Sequence, residues 1–460
     1  MDPLISQLST LTPLSVNGTV TGVSGLIIRA RGINTFLTIG ARCAVRTRHG
    51  SSCLCEVVGF EDTAALLMPF EPIHGIGPGC EVTLQEEGTI VAPHESWLGR
   101  LVSGVGMTAD DGPPLIAGDT AIGLHNAPPR ANRRGKVMGK IELGVRSINT
   151  FVTCCHGQRL GIFSGSGVGK SLLISMLARF TKADVNVIGL IGERGREVTE
   201  FINETLGVEG MRNSVVVVAT ADQTPLMRRQ AAYMTLAIAE YFRDQGRQVL
   251  CVIDSLTRFA MAQREIGLSA GEPPTSKGYP PSAFTELAGL LERAGPGEVA
   301  PDGTYGSITG LFSVLVEGDD FNEPIADAVR SIVDGHVVLR REIAHRGRYP
   351  SVDVLQSVSR TLPDCNTAQE NALIAQARQY LTDYENMAEL IRLGAYRKGS
   401  DPRIDKAIKL YEPLEAFLAQ AKDQPSTLQE GYQQLAEILA AADTPAAAAP
   451  SPPESPPETP

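Results

Sequence analysis

Residues 159–171 read Arg159-Leu160-Gly161-Ile162-Phe163-Ser164-Gly165-Ser166-Gly167-Val168-Gly169-Lys170-Ser171, and an apolar stretch with helical spacing follows. A short apolar strand, a glycine-rich turn and a helix that opens on Lys-Ser make the pattern of a phosphate-binding loop. Gly165, Gly167 and Gly169, with Ser166 and Val168 between them, let backbone N–H groups approach phosphate oxygens closely. The helix N-terminus adds partial positive charge. Lys170 is placed to bridge β- and γ-phosphates, and the Ser171 hydroxyl to hold Mg²⁺. Ser164 stands where the usual pattern has its first glycine, a position that sets the turn more than it touches phosphate.

Two further strands supply acids. Val249-Leu250-Cys251-Val252-Ile253-Asp254 is a buried-strand pattern that delivers a carboxylate at its C-terminal edge. Asp254 alone reads equally as a helix N-cap; with a phosphate loop upstream it reads as the metal-side acid. Val187–Ile191 runs into Gly192-Glu193-Arg194-Gly195-Arg196-Glu197. Glu193 falls at the strand edge, where a general base beside a γ-phosphate belongs. Glu197 and Arg196 lie one helical turn further out, where an ion pair is expected.

From about 147 to 360, buried strands alternate with helices such as Pro225–Asp244 and Thr257–Leu268. The strand candidates are Arg159–Phe163, Val185–Ile191, Ser214–Val218, Val249–Ile253, Ser307–Val316 and His336–Leu339. That alternation predicts a mostly parallel sheet covered on both faces. Upstream, short β-prone runs (Gly18–Val23, Gly25–Arg31, Phe36–Ile39, Cys53–Phe60, Thr63–Met68, Glu81–Gln85) separated by Gly, Pro and Asp predict a small closed β-barrel. Before it, Asp2 and Pro3 open a short helix whose Leu4, Ile5, Leu8 and Leu11 share a face. A connector follows the barrel and carries the basic run Arg130, Arg133, Arg134, Lys136 and Lys140, which reads as a solvated loop. Downstream, helical periodicity runs through Ala368–Leu393, Arg403–Ala421 and Thr427–Ala441. The division is 1–93 head and barrel, 94–360 connector and α/β nucleotide domain, 361–441 helical domain, and 442–460 a Pro-rich tail read as disordered.

Composition narrows the function. The chain has 460 residues, 43% hydrophobic and 20% charged, and its 41 basic against 52 acidic side chains give a formal charge of −11. A protein that coats nucleic acid needs a basic face, so nucleic acid is not expected as a partner. No apolar stretch reaches the ~20 residues of a membrane-spanning helix. Met1-Asp2-Pro3 lacks the positive start of a signal peptide, so a cytoplasmic location is expected. Eight cysteines contain no Cys-x-x-Cys pair. Cys43, His49, Cys53 and Cys55 read as a ligand cluster or, more simply, as reduced thiols on adjacent strands.

The phosphate loop, Gly192–Glu197 and Asp254-Ser255-Leu256-Thr257-Arg258 together resemble the rotary-ATPase α/β superfamily. So do Gly278-Tyr279-Pro280-Pro281-Ser282, Leu291-Glu292-Arg293-Ala294-Gly295, Val316-Glu317-Gly318-Asp319-Asp320 and Tyr349-Pro350-Ser351 through Ser357-Val358-Ser359-Arg360. Within it the chain is most similar to the type III export ATPases, the flagellar ones in particular. Serine after Lys170 and serine after Asp254 mark that branch, and Gly394-Ala395-Tyr396-Arg397-Lys398-Gly399-Ser400-Asp401 falls where ATP synthase catalytic subunits carry an acidic stalk loop. The resemblance implies a RecA-like P-loop core and ATP with Mg²⁺ as substrate and cofactor. Lys170 and Ser171 would bind phosphate and Mg²⁺, and Glu193 would activate water. Arg194 and Arg258 would support the phosphate-side charge, Asp254 would be the metal-side acid, and Tyr349 would stack on adenine. Arg360 matches the arginine finger that enters a neighbouring subunit's site.

A chain that carries a phosphate loop and a finger for someone else's site closes head to tail into a ring. The implied assembly is a homohexamer with a central stalk protein at the 396–401 loop, a stator-like regulatory partner at the N-terminus, and export chaperones, substrates and a membrane gate beyond. It would work in the cytoplasm, peripheral to the inner membrane, as the ATPase of flagellar protein export. The alternative is the ATPase of a virulence-type injectisome. An ATP synthase catalytic subunit fits the branch marks less well, and an RNA-translocating helicase would want a basic front domain where residues 15–93 have no excess of bases over acids. A scaffold that only binds nucleotide would have no use for the joint set Lys170, Glu193, Asp254 and Arg360.

Overall fold

The structure, a computed structural model, describes residues 15–86 and 89–441; the predicted head helix and the tail from 442 lie outside the described residues. Six strands, β1 (Asn17–Ser24), β2 (Ile27–Arg31), β3 (Arg42–Arg46), β4 (Ser52–Glu61), β5 (Ala64–Pro69) and β6 (Glu81–Glu86), close into a barrel in the order β1-β2-β5-β4-β3-β6. One expected strand is corrected. Phe36–Ile39 is a 3₁₀ turn and loop, and the strand of that stretch is β3. The reason is burial: Phe36 and Ile39 are 59% and 71% exposed, whereas Cys43 and Val45 alternate into the barrel interior. Cys43 faces Cys55 across β3 and β4, and both thiols are buried and free.

The central sheet runs Val352–Ser359, Gly335–Leu339, Arg159–Ser164, Ser307–Leu315, Gln248–Asp254, Val185–Ile191, Ser214–Ala219, Leu101–Ser103. These strands are parallel except the first, which is antiparallel to Gly335–Leu339; a ninth, the two-residue strand Gly295–Pro296, pairs antiparallel with Ser307–Leu315 beside them. Every residue of Val185–Ile191 is buried, as a strand sandwiched between helices requires. One face packs on the helices Pro225–Asp244, Leu256–Ser269, Pro281–Glu292 and Pro324–Ile332. The other packs on Arg146–Phe151, Lys170–Phe180 and the C-terminal helices.

The C-terminal helices are Ala368–Arg392, Pro402–Leu418 and Leu428–Ala441. The first opens on a full capping box, Thr367 with Glu370. Tyr384 and Tyr411 stack at 3.5 Å between the first two. The bundle docks on the core through Tyr432, whose hydroxyl meets Thr153 Oγ1 at 2.9 Å, and through Lys140 with Glu370 at 2.6 Å.

The connector is not simply solvated. Arg134 donates to Glu292 and to the carbonyls of Ala294 and Pro296, and Lys140 reaches the helical bundle. Arg133 adds a looser, exposed pair with Glu298 at 3.7 Å, so three of the five basic residues in the run tie the connector to its neighbours. Barrel and core are joined by buried Glu56, which accepts from Arg229 and from Gln230 Nε2.

Deeper still, Arg293 and Glu240 are 1% and 0% exposed and meet bidentately at 2.9 and 2.8 Å. Arg293 also donates to the Leu124 carbonyl at 2.5 Å, and Asn126 donates to Glu240 at 3.3 Å. This pair ties the connector, the helix Pro225–Asp244 and the end of Pro281–Glu292 together. Removing one partner strands a buried charge, so Glu240→Ala is expected to cost about 3–5 kcal/mol. The double change Glu240→Leu/Arg293→Met should cost much less. Equilibrium unfolding in denaturant measures both, and a single-variant loss below about 1 kcal/mol would refute the assignment.

Candidate nucleotide site

The strand Arg159–Ser164 ends on a buried serine, and the left-handed backbone that the turn needs falls instead on Gly167 (φ 75°) and Gly169 (φ 93°). Serine at 164 is tolerated for that reason. Gly169 is the N-cap of the helix Lys170–Phe180. A Cβ there would lie 3.1 Å from the Tyr349 ring. Ser351 Oγ donates to the Val168 carbonyl at 2.5 Å. Tyr349 and Ser351 thus brace the loop from the segment that leads into the edge strand.

The ammonium of Lys170 sits between two carboxylates. It contacts Asp254 closely and Glu193 Oε1 at 3.3 Å. Asp254 is 5% exposed and accepts from Ser313 Oγ at 2.6 Å. Burial works against the Lys170 charge, but Asp254 and Glu193 outweigh it and hold the amine above its ordinary pKa. For Glu193 burial dominates: it pushes the carboxyl up to about 7, with Lys170 opposing and Asp254 and Glu197 adding to the rise. A carboxylate poised near neutrality at a strand edge beside a phosphate loop is suited to accept a proton from water.

The other expected residues are placed differently. Gly192 (φ 70°) has the Arg258 stem 2.8 Å from where its Cβ would be, so that glycine lets Arg258 cross behind Glu193. The Arg258 guanidinium lies near Met261 Sδ at 3.7 Å, outside the lysine–carboxylate cluster. Arg194 is 84% exposed and pairs loosely with Glu197 at 3.6 Å. Arg196 pairs with Glu200 at 2.7 Å, one helical turn on, rather than with Glu197. Sequence reasoning passed over Ser313 and Ser351. Ser313 had a signal, a lone hydroxyl in the otherwise apolar run Leu311–Leu315.

A cavity of about 320 Å³ opens beside the loop. Ser171, Ser175, Glu193, Glu197 and Asp254 line it, with Lys422 from the turn between the last two helices. Among the described residues no three His, Cys, Asp or Glu side chains converge into a metal cage. Mg²⁺ does not ask for one. It takes oxygen ligands, keeps several waters and uses one or two carboxylates with substrate phosphates. The Ser171 hydroxyl and the Asp254 carboxylate beside a phosphate loop fit that donor set.

Arg360 is elsewhere. Gly335 pairs with Ser359, and Gly161 with His336, so residue 360 lies at the sheet edge where the parallel strands begin. Lys170 lies at the edge where they end. Arg360 is exposed, and among the described residues no hydrogen bond or ion pair holds its guanidinium. Tyr349 precedes the same edge strand at the loop end. One antiparallel strand therefore separates the adenine-side and finger candidates.

Three family models match in succession. They are the ATP synthase alpha/beta family beta-barrel domain over 20–84, the nucleotide-binding domain of that family over 144–359, and the T3SS EscN ATPase C-terminal domain over 366–437. The flagellum-specific ATP synthase of Caulobacter vibrioides is 55% identical over 441 residues, 95% of this chain and 99% of that protein. The type 3 secretion system ATPase of Xanthomonas euvesicatoria is 44% identical, covering 94% and 95%. Among solved structures, the assembled ATPase EscN of the enteropathogenic E. coli type III secretion system is 38% identical with a TM-score of 0.84, over 92% of this chain and 100% of that one. EscN in complex with its central stalk EscO gives 0.82 at the same identity and coverage. Barrel, nucleotide domain and C-terminal helices follow one another as they do in these proteins, and the chain is a member of the ATP synthase alpha/beta family, in the branch of the flagellum-specific ATP synthases and type III secretion ATPases.

Proposed function

We propose that this protein is the ATP-hydrolysing homohexameric motor of a flagellar type III protein export apparatus, with its six sites at the interfaces between neighbouring copies. The observation that carries the reading is the pairing of a Lys170–Glu193–Asp254 cluster at one sheet edge with an unpartnered, exposed Arg360 at the other. The backbone of Gly165–Gly169, with Lys170, binds the phosphates, which compete with Asp254 for the ammonium. Glu193 takes the proton of the attacking water. Tyr349 supports the adenine. Ser171 and Asp254 hold Mg²⁺, which when bound neutralises phosphate charge. Arg194 and Arg258 add positive charge when the site closes, and Arg360 of the adjoining copy meets the charge that develops on the transferring phosphoryl group.

The division into 1–93, 94–360, 361–441 and 442–460 goes with this reading, as do its partners. They are a central stalk at the 396–401 loop, a stator-like regulator at the N-terminus, export chaperones and substrates, and a membrane gate that the ring approaches from the cytoplasm at the inner membrane. Among the described residues no helix is long and apolar enough to cross a membrane. The exposed Leu393 beside Arg397 and Lys398 supports a protein contact at that loop. A virulence-type injectisome is the second reading, favoured by the identity with secretion ATPases. Co-purification from the native cell separates the two by the partners recovered.

Three outcomes test the chemistry. Glu193→Gln should abolish hydrolysis while nucleotide affinity, measured with a fluorescent analogue, survives; lost binding in a folded variant would give Glu193 a structural role instead. Arg360→Ala should lower turnover by about 10³-fold or more without changing nucleotide affinity, and a fully active variant would overturn the finger role. A general base whose carboxyl titrates at about 7 must be ionised to work. Hence kcat/KM should fall about tenfold per pH unit below that value and level off above it. A profile flat across the range would contradict Glu193 as the base.

A further inference from the structure

Residues 359–361 are held by one side chain. Gln158 is fully buried, immediately before the strand that leads to the phosphate loop. Its Nε2 donates to Ser359 Oγ at 2.8 Å and to the Asp334 carbonyl at 3.2 Å. Its Oε1 accepts from the Cys155 N–H at 2.9 Å and from Thr361 Oγ1 at 3.2 Å. All four amide positions are used, and the Cys155 N–H and Asp334 carbonyl fix which end of the amide is which. The Arg360 N–H donates to the same Asp334 carbonyl at 2.8 Å. Asp334 is anchored in turn by Arg159, through its backbone N–H at 3.0 Å and its guanidinium at 3.0 and 3.1 Å. Ser359 Oγ donates on to the Thr153 carbonyl at 2.8 Å.

The residues on both sides of Arg360 are therefore bonded to one amide, while its own guanidinium is exposed. A long flexible side chain that must arrive at a site on another molecule gains nothing from local contacts. It gains from a fixed Cα and a fixed exit direction. Gln158 supplies both, and it does so at the near end of the strand whose far end is the phosphate loop.

We infer that Gln158 is a positioning residue for Arg360: its amide brackets residues 359 and 361 and aims the arginine at the adjoining copy's nucleotide. This rests on the finger reading of Arg360 given above. A misplacement of about 1 Å can cost about 10²-fold in rate, so Gln158→Met should lower kcat by about that factor with KM for ATP unchanged. Because the finger acts on a neighbour, the defect should be repaired in trans. Gln158→Met chains keep their own loop; Lys170→Ala chains have no working loop but an intact finger. In an equal mixture about a quarter of interfaces join a good loop to a good finger, and turnover should rise toward about a quarter of wild type.

The Arg360→Ala variant mixed with Lys170→Ala is run in parallel. If that pair is not rescued, the finger reading itself fails. If it is rescued and Gln158→Met is not, or if Gln158→Met turns over like wild type, the positioning role is overturned and the finger stands. Should Gln158→Met not fold, Ser359→Ala/Thr361→Val removes the two side-chain bonds that flank Arg360. The same loss of kcat and rescue are expected, and wild-type turnover would again refute the role.

Discussion

The polarity of one six-residue strand, Arg159–Ser164, sets the terms on which this chain can do chemistry. At about 3.3 Å per residue it spans on the order of 17 Å along the strand direction. The glycine-rich turn leaves its C-terminal end, and Gln158 and the Arg360 segment sit at its start. Side chains on opposite edges of a packed parallel sheet do not meet within one copy. The two groups proposed for phosphoryl transfer, the Lys170 loop as cradle for the phosphates and Arg360 as cation for the developing charge, thus lie at opposite ends of the strands. On the proposed reading, a second copy presented head to tail would join them.

Electrostatics at the loop edge follow from the same arrangement. Lys170 leaves the first helical position into a space already lined by Asp254 and Glu193. The lysine stays charged because the acids are there, and Glu193 is raised because it is buried among acids. The −11 balance of the chain is compatible with this economy. Basic groups stand singly, at Lys170 and at Arg360, and in staples such as Arg134, Arg229 and Arg293. Glu56 with Arg229 joins the barrel to the core, and Glu240 with Arg293, through Asn126 and the Leu124 carbonyl, joins the connector to it.

Much of this was legible from residue order. The phosphate loop, the acids ending Val185–Ile191 and Gln248–Asp254, and the helix Pro225–Asp244 carry local signals that burial and spacing preserve. What escaped was non-local. The strand Val352–Ser359 pairs antiparallel at the sheet edge, its burial is uneven, and its sequence reads as a motif before it reads as a strand. Phe36 and Ile39 look like strand residues but face solvent, since the barrel closed around Cys43 and Val45 instead. Arg134 and Lys140 look like surface because the partners that hold them, Glu292 and Glu370, are more than 150 residues away. Arg194 adjoins Glu193 in sequence, but its side chain points into solvent. Gln158 passed unnoticed for the same reason, since a lone glutamine acquires meaning only when residues 334 and 359–361 arrive beside it.

On the proposed reading a complete site exists only between copies. Specific ATPase activity measured against protein concentration, with sedimentation velocity on the same samples, tests it most directly. Activity per chain should be negligible where the protein sediments as a monomer and should rise with the assembled fraction. Undiminished activity per chain in a purely monomeric sample would show that one copy holds a complete site.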